Sequence, residues 1–128
     1  MEEKKKILII DDEKGFTSML QLNLESIGEY EVRVENRAEK ALEIALQFQP
    51  DIILLDVIMP NVEGPDVANI IHTNEGLKDI PIIFLTATVT KDEVDAQNGK
   101  IGGHTFVAKP SSLSDLTTSI KRNLLPAF

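Results

Sequence analysis

The chain contains no cysteine, no tryptophan and only one tyrosine. Without thiols no disulfide can cross-link the fold and no thiolate can serve as nucleophile or soft metal ligand, a composition that fits a reducing compartment. Basic residues are the next shortage: 13 Lys and Arg stand against 21 Asp and Glu, for a formal net charge of −8. Affinity for phosphate backbones comes largely from clustered Lys and Arg, so direct nucleic-acid binding is not expected. The two basic runs, Lys4 to Lys6 and Lys121-Arg122, are short and read as solvated surface. No apolar run approaches the roughly 18 residues that span a bilayer, and Met1 to Lys6 leads directly into a strand rather than a signal-peptide core. A cytoplasmic chain with no membrane insertion is the expectation.

What is present suffices for a packed core. Hydrophobic residues make up 42% and charged residues 27% of the 128 positions, the balance of a globular chain, and residues 1–128 are expected to form a single domain. Ile52 to Leu55 is a continuous apolar run, too short for a buried helix and suited to a strand covered on both faces. It ends at Asp56. A bare carboxylate is costly to bury, so an acid there is expected at the rim of a sheet, beside a cation.

The rest of the chain repeats this pattern. Lys6 to Ile10 is a buried strand that stops at Asp11-Asp12-Glu13, and a helix follows with Phe16, Leu20, Leu24 and Ile27 on one face, closed by Gly28. Glu31 to Glu35 alternates as a strand nearer the sheet edge. Asn36, with Glu39 after it, predicts a capped helix whose Ala41, Leu42, Ala45, Leu46 and Phe48 face inward, stopped by Pro50. Gly64-Pro65 opens a third helix carrying Val67, Ile70 and Ile71, and Asn74 to Asp79 reads as a loop. Pro81 to Thr86 is a further apolar strand, Lys91 to Gly99 a mostly polar helix, and Gly102-Gly103 a turn into a strand over Thr105 to Lys109. Ser111 or Ser112 caps a last helix with Leu113, Leu116, Ile120 and Leu124 inward.

Five strands alternating with five helices imply right-handed crossovers and a parallel sheet with helices on both faces. In such α/β folds the working groups gather at the carboxyl ends of the strands. Those ends carry Asp11-Asp12, Asp56, Thr86 and Lys109. Individually each has an ordinary reading as a helix cap or a surface charge. Jointly, three carboxylates a few ångströms apart repel by about 1–4 kcal/mol per pair at water-like to surface-like dielectric. A divalent cation together with Lys109 would remove that repulsion, and an all-oxygen site suits Mg²⁺ or Mn²⁺.

In combination and order, Asp11-Asp12, Asp56 followed by Met59-Pro60 and Gly64, Thr86-Ala87 and Lys109-Pro110 resemble a response-regulator receiver domain of the two-component systems, over essentially the whole chain. The resemblance implies a flavodoxin-like (βα)5 three-layer sandwich with a five-stranded parallel sheet in the order 2-1-3-4-5. It implies that Asp56 takes a phosphoryl group from a phosphohistidine on a sensor histidine kinase or histidine phosphotransfer protein. Asp12 would ligate Mg²⁺ directly and Asp11 through water, with Asp56 and the backbone carbonyl of Ile58 completing the protein ligands. Lys109 would offset the charge of transfer, and Thr86 and Phe106 would form the switch that informs a downstream effector. Such a protein catalyses only its own phosphorylation and dephosphorylation.

Departures from the family's commonest pattern qualify this. Glu63 precedes Gly64 where Asp is frequent, and His104-Thr105 replaces an acidic pair, which argues against a dimer built on charged pairs of that face. Ile58 and Thr88 occupy positions that influence phosphoryl lifetime, and Ile58 is too apolar to orient an attacking water, so a long-lived phosphoaspartate is expected. A haloacid-dehalogenase-like phosphohydrolase would need an acid where Ile58 stands. Asp11-Asp12-Glu13 would repel a flavin phosphate, and no G-x-G-x-x-G supports a dinucleotide site. The stronger alternative is a phosphorylation-independent receiver-like interaction module, although such proteins usually lack one of the key residues and none is missing here.

Overall fold

The runs Ile7 to Ile10, Ile52 to Leu55 and Ile82 to Leu85 are apolar throughout because both faces of their strands are covered. The computed structural model describes residues 3–60, 62–87, 100–101, 104–109 and 112–124. Its elements in chain order are β1 (Lys5–Ile10), α1 (Lys14–Ser26), β2 (Tyr30–Glu35), a 3-10 turn (Ala38–Lys40), α2 (Ala41–Phe48), β3 (Ile52–Asp56), β4 (Ile58–Met59), β5 (Val62–Glu63), α3 (Gly64–His72), β6 (Ile82–Thr86), β7 (Lys100–Ile101), β8 (His104–Ala108) and α4 (Leu113–Leu124). The main sheet runs β2-β1-β3-β6-β8-β7. Its first five strands are mutually parallel, and numbered among themselves they stand in the expected order 2-1-3-4-5. The edge strand β7 was not foreseen; it pairs antiparallel with β8.

Alternate residues of each strand feed opposite layers. Ile7 and Ile9 of β1, Leu54 of β3 and Leu85 of β6 meet Leu20 and Leu24 of α1 and Leu116 and Ile120 of α4. Leu8, Ile10, Ile53, Leu55 and Phe84 point to the other side, against Ala41, Ala45 and Phe48 of α2 and Val67 and Ile71 of α3. The result is a helix, sheet, helix sandwich, the flavodoxin-like arrangement expected. Fully burying a side chain such as Leu54 contributes about 1.5–3 kcal/mol, so the continuous runs of β1, β3 and β6 supply much of the drive to fold.

Helix ends follow local chemistry. Gly28, at φ 87°, takes the left-handed turn beyond α1 that only glycine adopts freely. Ser112 caps α4, its Oγ accepting the Asp115 N–H at 3.0 Å. The cap expected at Asn36 is absent: a 3-10 turn precedes α2, and neither start has a side-chain cap. The Asn36 amide is engaged elsewhere, as described below. Three residues expected inward are exposed, for geometric reasons. Ile27 lies past the last turn of α1; the inward stripe of α2 is Ala41, Ala45 and Phe48, leaving Leu46 outside; and Val67, Ala68 and Ile71 form the inner face of α3, leaving Ile70 outside. Leu77, in the expected loop, is fully buried and packs into the core beneath α3. The expected helix at Lys91 to Gly99, the Gly102-Gly103 turn, Thr88, Pro110 and Ser111 lie outside the described residues.

Candidate functional site

The parallel register brings the strand ends together. Asp11 and Asp12 follow β1, Asp56 is the last residue of β3, Thr86 the last of β6, and Lys109 comes directly after β8. Backbone hydrogen bonds carry the ladder past the strands: Val57 N–H donates to the Leu85 carbonyl at 3.1 Å, and Lys109 N–H to the Thr86 carbonyl at 2.9 Å. The rim is therefore held by the sheet itself, which is what a site requiring sub-ångström placement needs.

One carboxylate oxygen from each of Asp11, Asp12 and Asp56 lies within 4.8 Å of the others, a grouping that could hold a metal ion. All donors are hard oxygens, the set that suits Mg²⁺ and Mn²⁺. Asp11 and Asp56 are buried and Asp12 half-buried. The ammonium of Lys109, with a side chain only 8% exposed, lies 2.8 Å from Asp11 Oδ2 and 3.8 Å from Asp56 Oδ1, so it is no surface lysine. Asp11 Oδ1 also accepts the Glu13 N–H at 2.9 Å. The buried carboxylate thus both shapes the turn and anchors the lysine.

These contacts pull protonation in opposing directions. Burial, reinforced by the charge of Asp11, pushes the Asp56 carboxyl up to about 6, against the opposing pull of Lys109 and of a hydrogen bond from the Ile58 backbone. Burial also raises Asp11, with Lys109 and the Glu13 N–H acting against it. Lys109 shows the opposite balance: burial alone would lower it, but hydrogen bonds to Asp11 and Glu13 outweigh that and leave its ammonium above the ordinary lysine value.

Three features of the site were missed in the sequence. Glu13 Oε1 accepts from Lys109 Nζ at 2.6 Å, across 96 residues of chain. The Phe16 ring lies beneath the same ammonium, 4.6 Å from Nζ to its centroid. Asn36 Nδ2 donates both to the Asp11 carbonyl at 2.7 Å and to Thr17 Oγ1 at 3.0 Å, tying the acidic turn to α1 and to the end of β2. The only available signal for Asn36 was an amide at the end of an edge strand, which a helix cap explained equally well.

The segment after Asp56 contains the small antiparallel pair β4–β5, in which Ile58 stands opposite Glu63. Gly64 N–H closes it on the Val57 carbonyl at 2.7 Å. Ile58 is 61% exposed, and its backbone hydrogen-bonds the Asp56 carboxylate. Thr86 is buried at the rim. Phe106 is half-buried and stacks on Phe84, ring centroids 5.3 Å apart at 29°, at the margin of the α2/α3 core layer.

Comparison with known proteins matches residues 7–121 to the family model described as response regulator receiver domain. The probable transcriptional regulator ycf27 of Guillardia theta is 36% identical over 122 residues, 94% of this chain and 46% of that protein, so the chain spans about half the length of that relative. Chemotaxis protein CheY4 of Vibrio cholerae is similar in structure, with a TM-score of 0.79 and 27% identity, covering 94% of this chain and 98% of that one. The receiver domain of a sensor histidine kinase from Pseudomonas aeruginosa, solved with a magnesium ion coordinated in its active-site cleft, has the same fold, with a TM-score of 0.78, 24% identity and coverage of 95% and 98%.

Proposed function

Because this chain belongs to the response regulator receiver domain family, we propose that it is the phosphoacceptor of a two-component phosphorelay, receiving at Asp56 a phosphoryl group from a phosphohistidine. The donor would be a sensor histidine kinase or a histidine phosphotransfer protein in the cytoplasm. The observation that carries this reading is the convergence of Asp11, Asp12 and Asp56 within 4.8 Å, with the Lys109 ammonium buried beside them. Among the described residues no helix is long and apolar enough to cross a membrane.

An Asp56 carboxylate oxygen forms the new bond to phosphorus as the P–N bond of the phosphohistidine breaks, its electron pair passing to the imidazole nitrogen, which takes a proton. Asp11, Asp12, Asp56 and the Ile58 carbonyl would hold Mg²⁺, with Mn²⁺ as an alternative; when bound, the ion neutralises charge on the transferring oxygens. Lys109 is placed to offset the rest of that charge. Asp56 must be ionised to attack. Burial favours its neutral form, while Lys109 favours the charged one and a bound cation would favour it further. The chain acts on itself and turns over no separate substrate.

The phosphoryl group adds negative charge and acceptor oxygens at the rim. Thr86 would hydrogen-bond to it and Phe106 would repack in response, altering the surface read by an effector protein or an attached output domain. Nucleic acid would be reached only through that output. The exposed Ile58 side chain offers no group to orient water, so the phosphoaspartate is long-lived. Phosphoramidate, whose P–N bond models that of phosphohistidine, is expected to yield phosphoprotein in the presence of Mg²⁺ but not EDTA, decaying over minutes or longer. Decay within seconds would refute the role given to Ile58, and no phosphoprotein at all would leave the receiver-like interaction module as the better reading.

A further inference from the structure

Lys109 has three N–H donors. Asp11 accepts one at 2.8 Å and Glu13 another at 2.6 Å, while Asp56, the residue whose chemistry the lysine would serve, is 3.8 Å away. The Phe16 ring covers the same ammonium, with its centroid 4.6 Å from Nζ. The resting lysine is thus held to one side of the nucleophile. Moving the ammonium toward a phosphoryl oxygen on Asp56 lengthens one of these two short contacts, and the two carboxylates differ in what its release costs.

Asp11 is buried, and leaving its carboxylate unpaired carries a desolvation penalty. The Glu13 side chain is 61% exposed, so water can replace the lysine there at little cost. Glu13 is also the N-cap residue of α1, yet its side chain makes no capping hydrogen bond. Its carboxylate reaches to Lys109 instead of to the helix it begins.

We infer that Glu13 is a positioning residue that holds Lys109 back in the unphosphorylated protein and yields it to the phosphoryl group, thereby setting how readily the site is occupied. This rests on the phosphoacceptor reading above and adds a regulator of that site. Glu13 competes with the phosphoryl oxygens for the position of the ammonium, so removing it favours the occupied state.

The test is titration with beryllofluoride, a phosphoryl mimic, at saturating Mg²⁺, comparing wild type, Glu13→Gln and Glu13→Asp. Glu13→Gln is expected to bind the mimic about three- to tenfold more tightly, the range for losing a short but exposed ion pair. Glu13→Asp separates contact from charge. An aspartate at this position is one methylene shorter and caps the α1 N–H groups, withdrawing from Lys109 while keeping its charge. It is expected to tighten binding as Glu13→Gln does. If Glu13→Asp matches wild type while Glu13→Gln tightens, only the local field matters and the inference falls; equal affinities for all three also overturn it. If wild type itself binds no beryllofluoride, the phosphoacceptor reading fails instead.

Discussion

Gly64→Ala is expected to lower thermal stability sharply and to weaken Mg²⁺ binding in the same protein. A Cβ at Gly64 would overlap the Asp56 carbonyl oxygen and stand 2.9 Å from Val57 Cα and 3.1 Å from the Asp56 carbonyl carbon. All three are backbone atoms of the segment that presents the nucleophile, so no flexible side chain can swing aside. Alanine would gain about 0.5–1 kcal/mol over glycine within a helix, but overpacking costs about 1–3 kcal/mol and here also displaces the β3 end. The steric term wins, and a fall on the order of 5–10 °C in melting temperature follows for a domain of this size. Gly15→Ala is the matched control: no atom lies within 4 Å of its Cβ, and α1 is expected to gain about 0.5–1 kcal/mol. Calorimetric unfolding with and without Mg²⁺ measures both. A Gly64→Ala protein as stable as wild type, with unchanged metal affinity, would mean that the loop tolerates movement.

The second large effect is a stabilisation. In the absence of metal, Asp56→Asn should be more stable than wild type at pH 7.5. The Asp56 carboxyl titrates at about 6 in the fold, above the ordinary 3.8, chiefly because it is buried and beside Asp11. A raised folded-state pKa means the native state binds the proton more tightly than the unfolded chain. The associated stability is present in full below about pH 4 and is lost as pH rises through about 6. At pH 7.5 wild type therefore carries a penalty on the order of 2–3 kcal/mol that an uncharged amide avoids. The advantage of Asp56→Asn should shrink on acidification through that window and vanish below it. Saturating Mg²⁺ should narrow the gap at pH 7.5, since an ion bound at a hundredfold over Kd would stabilise the native state by about 2.7 kcal/mol and the proposed site would hold it better with a carboxylate than with an amide at position 56. Denaturant unfolding across pH 3.5–8, with and without Mg²⁺, measures it; a pH-independent difference would place the ionisation cost elsewhere.

The difference between what was legible in the chain and what was not has a physical basis. A strand buried on both faces must be apolar throughout, so Ile7 to Ile10, Ile52 to Leu55 and Ile82 to Leu85 announced themselves, and with them the polar residues at which they stop. Parallel topology then placed those stops on one edge, which is why Asp11, Asp12, Asp56, Thr86 and Lys109 could be grouped in advance. The Glu13–Lys109 pair could not be read, because it depends on which way two long side chains turn once their strands are side by side. Asn36 misled for a similar reason: cap and tertiary hydrogen bond are equally available to an amide, and only the approach of Asp11 and Thr17 decides. Leu46 and Ile70 were misassigned because short helices with apolar residues beyond one stripe leave the inward face ambiguous. The two-residue strands β4, β5 and β7 have no periodicity to detect.

Incubation with acetyl phosphate and Mg²⁺, followed by intact mass measurement, tests the assignment of Asp56 most directly. Wild type is predicted to gain the mass of one phosphoryl group and Asp56→Ala to gain none. No gain by wild type, or an equal gain by Asp56→Ala, would contradict it.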